Sequence, residues 1–130
     1  MRSNLKVSII CIAIVSIIIF SCLSISRYLE VSADKMLDDI IEVEDYINND
    51  KWDDAYNKIV YISIEWEKTE KVWSTIVNHH EIDNITISLI ESEKYVKYKD
   101  KMMSETSLSS LKHYINHIPK MELLNLKNVL

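Results

Sequence analysis

The uncharged run from Val7 to Ser26, VSIICIAIVSIIIFSCLSIS, is the first pattern in the chain. As a helix rising 1.5 Å per residue it spans about 30 Å, the hydrocarbon thickness of a bilayer. Lys6 and Arg27 bracket it, and Tyr28 falls where an interfacial aromatic sits. Serines at 8, 16, 21, 24 and 26 are compatible with lipid, because a helical serine returns its hydroxyl to the carbonyl one turn earlier. After Arg27 the pattern changes. Apolar residues no longer fill the helix circumference but recur three and four apart, as on one face of an amphipathic helix.

This spacing predicts four further elements. A helix over 27–47 continues the apolar run, with Leu29, Ala33, Met36, Leu37, Ile40, Ile41, Val43 and Ile47 as its apolar positions. Asn48-Asn49-Asp50 breaks it, and Asp50 is the expected N-cap of a second helix over 51–78. There Trp52, Ile59, Trp66 and Trp73 recur every seven residues, with Ala55, Ile62, Thr69 and Ile76 as the companion seam. A heptad of this length packs against other helices at shallow angles, so the tryptophans read as core. After Asn78-His79-His80, a third helix starts at Ile82 or Asp83 and ends near Tyr98. Lys97, Lys99 and Lys101 suit the negative end of its dipole. The fourth helix starts at Asp100 or Ser104, carries Leu108, Leu111, Ile115 and Ile118, and is expected to stop at Pro119. Residues 121–130 then read as a short amphipathic cover on the bundle end. The expected fold is all-α: a single N-terminal transmembrane helix (7–26) behind a short tail (1–6), then an antiparallel three- to four-helix bundle (27–130).

Two other readings of the apolar run stay open. Ser24-Ile25-Ser26 offers small residues for cleavage of a signal peptide, and Cys22 is a lipidation position if Ile19-Phe20-Ser21-Cys22 is a lipoprotein signal. Phe20 fits the second poorly, and an uncleaved signal anchor is the preferred reading. Arg2 and Lys6 on one side nearly balance Arg27 and Lys35 on the other. The short basic tail is the easier part to leave in the cytoplasm, so the bundle is expected outside.

Composition narrows the field further. Among 130 residues there is no glycine and one proline, which removes glycine-dependent phosphate loops, dinucleotide fingerprints and nucleophile elbows. Two of the 15 basic residues precede residue 27 and none of the 20 acidic ones do, so the part from 27 onward carries −7. An acidic domain of this kind is not expected to bind nucleic acid and stands off an anionic lipid surface. Cys11 and Cys22, the two cysteines, fall inside the apolar run and form no disulfide framework.

The one constellation with metal-binding or pH-sensing chemistry is the histidine set His79, His80, His113 and His117. His113 and His117 lie one turn apart on a helix, the spacing of a metal clamp. An antiparallel path brings His79 and His80 to the same bundle end, with Glu81 and Asp83 nearby. The metal candidates are therefore His80, His113 and His117, set against the ordinary reading of solvated loop and helix-end histidines. No catalytic or cofactor-binding residues are assigned: carboxylate pairs such as Asp38-Asp39 and Asp53-Asp54 lie on solvated faces, and the serines of 104–110 lack a base.

The stretch Trp66-Glu-Lys-Thr-Glu-Lys-Val-Trp73, His80-Glu-Ile-Asp83 and the ending Leu111-Lys-His-Tyr-Ile-Asn-His117-Ile-Pro119 resemble a small family of unknown function. Its members, found mainly in clostridia and related Gram-positive bacteria, share an N-terminal hydrophobic helix and about a hundred helical residues. The resemblance implies membrane location and no activity. Lys120 departs from the acidic residue typical after the proline, which weakens a metal site there. The expected role is a non-enzymatic module that binds a membrane or envelope protein, with the lipid bilayer as its other contact. The alternative is an extracytoplasmic ligand, metal or pH sensor built on the four histidines.

Overall fold

The computed structural model describes residues 1–129. Among these there are four helices and no strand: α1 (Arg2–Asn48), α2 (Trp52–Trp73), α3 (His79–Lys97) and α4 (Lys101–Val129). α1 packs on α2 and α4, and α3 packs on the same two, so the helices close a ring with α1 diagonal to α3. Short connections make each antiparallel to the next.

α1 is one helix 47 residues long, about 70 Å by its rise. Up to Tyr28 its side chains are exposed, apart from half-buried Cys22 and Ser26. Ser16, Ser21 and Ser24 donate to the carbonyls of Ile12, Ile17 and Phe20 at 2.8, 2.8 and 2.9 Å, as expected of hydroxyls in an apolar run. By length and composition this part is a candidate membrane span, and none of its apolar window is buried. From Leu29 on, the stripe Leu29, Ala33, Met36, Ile40, Val43 and Ile47 enters the core.

The tryptophan heptad of α2 faces inward. Trp66 and Trp73 are 3% and 0% exposed and meet edge to face at 5.6 Å between ring centroids. Each indole N–H is satisfied, Trp66 donating to Thr86 Oγ1 on α3 (2.9 Å) and Trp73 to Ser32 Oγ on α1 (3.0 Å). The two rings thereby pin α2 to both neighbours at the end of the bundle nearest the apolar run. Trp52 is only half-buried, at the opposite end. Between α3 and α4 the buried Ser88, Ser92, Ser104 and Ser107 present small side chains that allow close approach. Ser92 returns its hydroxyl to the Ser88 carbonyl (2.8 Å).

Several predicted boundaries are corrected. α2 ends at Trp73, not Asn78: Thr75 donates its hydroxyl to the Val72 carbonyl (2.7 Å), and residues 74–77 turn so that Val77 returns to the core. Asn78 caps α3 by accepting the His80 N–H (2.9 Å), so α3 begins at His79, three residues earlier than expected. Asp50 is not a cap. It takes φ 56° in the turn and Lys51 occupies the N-cap position. Lys99 repeats that conformation between α3 and α4, while Asp100 accepts the Met103 N–H (3.0 Å) and starts α4. In a chain without glycine, two ordinary residues adopt the left-handed conformation at a cost of about 1 kcal/mol each.

The largest correction concerns Pro119. It lies inside α4, which continues to Val129. Proline removes one backbone hydrogen bond, but the half-buried ring sits in a groove with Ala33 and Leu37 of α1, and Leu123 lines the same groove one turn later. Tertiary packing carries the helix through. The predicted separate cover over 121–130 is thus the end of α4, with Leu130 outside the described residues.

Candidate functional site

The four histidines are exposed. His113 and His117 stack on one face of α4, ring centroids 5.9 Å apart and planes 13° from parallel, and Tyr114 meets His113 edge-on at 6.0 Å. His79 and His80 open α3. Among the described residues no three His, Cys, Asp or Glu side chains form a group able to hold a metal ion. The structure therefore pairs His113 with His117 but does not assemble His80 with them as a three-ligand set.

The polar side chains that do converge lie elsewhere, on the seam between α1 and α2. Lys58 of α2 places its ammonium 2.8 Å from Asp39 Oδ1 and 2.7 Å from Glu42 Oε2, both on α1. Tyr46 donates its hydroxyl to the other Glu42 oxygen at 2.9 Å, and the Lys58 ammonium lies 5.2 Å from the Tyr61 ring centre. The Lys58 hydrogen bond, then that of Tyr46, holds Glu42 below the usual carboxylate range. In turn Asp39, then Glu42, raises Lys58 well above an ordinary lysine. Lys112 of α4 bridges Glu44 of α1 at 2.7 Å, and Lys35 of α1 reaches Glu65 of α2 at 3.7 Å. These pairs stitch α1 to both neighbours. The expectation of a solvated face is corrected for Asp39, which is half-buried and paired, and sequence reasoning passed over Glu42 and Lys58, although all three flank the apolar seam as the charged edge positions of a coiled coil do.

The cavity on this seam is small. The cavity between α1 and α2, lined by Ser32, Met36, Ile62, Trp66 and Thr69 among others, holds about 50 Å³, room for water rather than substrate. Ser104 Oγ is fully buried without a hydrogen-bond partner, and Ser107 donates to the Ser104 carbonyl (3.1 Å). Ser104 and Ser107 therefore belong to the packing seam, while exposed Ser110 donates to the Thr106 carbonyl (3.2 Å).

The outer surface of α2 and α3 carries a different feature. The Trp66–Thr86 bond and the 3.0 Å bond from Ser63 Oγ to Glu93 Oε2 fix the level of α2 against α3. At that level Ile64, Ile87 and Ile90 point outward, 51%, 55% and 50% exposed. Three large aliphatic side chains are thus exposed at similar heights on adjacent helices, and interior packing does not explain them.

No curated protein and no solved structure matches the chain. The pattern of α1 from the last turns of its apolar run, the tryptophan heptad and the two helices that enclose it is that of a known sequence family: the chain belongs to the Domain of unknown function (DUF4363), whose family model matches residues 23–129.

Proposed function

We propose that the protein is a membrane-anchored, non-enzymatic interaction module of the cell envelope, with residues 7–26 of α1 in the bilayer and the bundle outside the cell. The observation that carries this reading is the continuity of α1. An exposed apolar run and the first wall of the bundle are one helix without a break. A flexible linker would let the bundle wander, whereas a continuous helix fixes its height and orientation above the membrane. That suits presentation of a surface to another envelope protein. Ile64, Ile87 and Ile90 supply the surface, with Lys68, Lys71 and Lys94 nearby on the same two helices as a polar rim.

A photo-crosslinking amino acid at Ile64, Ile87 or Ile90 of the full chain in native membranes tests the interaction. A discrete adduct at these positions, absent at Asn57 on the same helix, is expected. Equal labelling at all four positions removes the interaction surface. Protease added to intact cells tests topology: the bundle is cleaved if it lies outside and protected if it lies in the cytoplasm.

A further inference from the structure

The end of α4 is placed where a bundle standing clear of the membrane would have no reason to send it. Its register against α1 is set by three observations. Lys112 pairs with Glu44, Asn116 and Pro119 share a groove with Leu37 and Ala33, and Leu123 shares that groove with Glu30. Each step forward on α4 is therefore one step back on α1. Continued at 1.5 Å per residue, Leu124 to Asn128 run alongside residues from about Leu29 back to Ile25. The burial pattern of α1 agrees independently. Within its first 28 residues only Cys22 and Ser26 are half-buried, and they extend the core stripe of Leu29 and Ala33 toward the apolar run.

This terminal segment is amphipathic in an unusual place. Met121, Leu123 and Leu124 are 38%, 42% and 59% exposed, and Lys120 and Lys127 are exposed among them. At about the same height but on another face of α1, Tyr28 and Val31 are 41% and 49% exposed, continuing an open apolar groove with Phe20 and Leu23. The bundle thus ends in exposed apolar side chains with Lys120, Lys127 and Arg27 at about the same height, Arg27 being paired with Glu30 at 3.2 Å.

We propose that the last turns of α4, from Lys120 to Val129, are an interfacial lipid-binding segment. Met121, Leu123 and Leu124 sit at the boundary of headgroups and acyl chains, while Lys120 and Lys127 meet lipid phosphates. The occupant is lipid because α1 fixes the height of this end, which coincides with the end of the uncharged run. Running alongside α1, the end of α4 meets that layer end-on, and lysine and aromatic side chains anchor there. The segment gives the bundle a second attachment beside α1 and resists its tilt and rotation. This inference rests on residues 7–26 being inserted.

The test uses the full chain in vesicles of phosphatidylethanolamine and phosphatidylglycerol. An environment-sensitive fluorophore is attached to one cysteine at a time, introduced by Leu124→Cys, Met121→Cys, Ile14→Cys or Met102→Cys in a Cys11→Ser, Cys22→Ser background. Leu124 and Met102 are both largely exposed, so labelling there disturbs little packing. The expected result is that lipids brominated near the headgroup quench labels at 124 and 121 by about half, given insertion of a few ångströms into the acyl boundary. Lipids brominated near the chain ends quench position 14, and aqueous iodide alone quenches position 102. If 14 is lipid-quenched while 121 and 124 respond to iodide only, the segment is in water and the proposal is overturned with the anchor intact. If 121 and 124 are shielded from both quenchers, protein covers them, and the lipid proposal again falls. If 14 escapes lipid quenching, the anchor reading fails and the proposal falls with it.

Discussion

α1 holds two regions in one unbroken helix, and they differ in almost every respect but backbone conformation. From Val7 to Ser26 the apolar residues occupy the whole circumference, no charge interrupts them, and the serines bond to their own backbone. From Leu29 to Ile47 the apolar residues form one stripe, and the flanks carry Asp39, Glu42 and Glu44, each paired with a lysine of a neighbouring helix. The first region satisfies its hydrogen bonds internally and leaves its surface to whatever surrounds it. The second is amphipathic and stabilised by packing. A single helix can thus combine a lipid-compatible rod with a bundle wall, because helix formation depends on local bonding while environment depends on how apolar side chains are distributed around the axis.

The sharpest way to break this contrast is to truncate one large side chain in each region. Trp73 is fully buried and bonded to Ser32, whereas Ile14 is 52% exposed and touches no bundle element. Trp73→Ala is expected to destabilise the bundle by about 3–5 kcal/mol. Ile14→Ala is expected to leave denaturant unfolding of the detergent-solubilised full chain unchanged. Equal effects of the two would mean that the apolar rod and the bundle unfold as one unit. Pro119→Ala comes next. It restores an N–H toward the Ile115 carbonyl and is expected to raise stability, by up to about 3 kcal/mol where the ring contributes no packing. A loss of stability would instead show that the ring's fit beside Ala33 and Leu37 outweighs the missing bond. Lys99→Gly relieves a left-handed non-glycine residue and is expected to add about 1 kcal/mol, read as a higher thermal midpoint.

Much of this architecture was legible in the sequence because two periodicities are unusually clean. The uncharged run announces its length, and the heptad of Trp52, Ile59, Trp66 and Trp73 announces the inward face of α2. The ends of elements were less legible. Asn78 and Asp50 are both good caps by residue type, yet only Asn78 acts as one, since Asp50 is needed in the turn itself. Pro119 looked like a stop because its cost is local and visible, while the compensating groove with Ala33 and Leu37 lies more than eighty residues earlier in the chain. The histidine set shows the same limit of sequence reading. Placing four residues at one bundle end does not fix which way each side chain points, and only the one-turn spacing of His113 and His117 was enough to bring rings together.

The smallest expected effect separates the two regions of α1 by pH. Between Lys6 and Arg27 there are no acidic or basic side chains, so changes in acid stability must arise in the bundle. Glu42 is held below its ordinary range by Lys58 and then Tyr46, and Glu65 by Lys68. A carboxylate whose folded pKa is depressed contributes stability that is whole above its unfolded pKa, about 4.3, and drains as pH falls through the lower folded value. Lys58 is shifted the opposite way, so its contribution is complete below an unfolded pKa of about 10.4 and is lost as pH rises from there through the higher folded value. The thermal midpoint is therefore expected to be flat from about pH 5 to 9 with respect to these groups and to fall below about pH 4. Glu42→Gln with Glu65→Gln should lower the plateau slightly and flatten the acid limb, since exposed pairs of this kind are individually weak. An acid limb unchanged in the double variant would assign the loss to other carboxylates, and would mean that the Lys58 seam adds alignment of α1 on α2 rather than net stability.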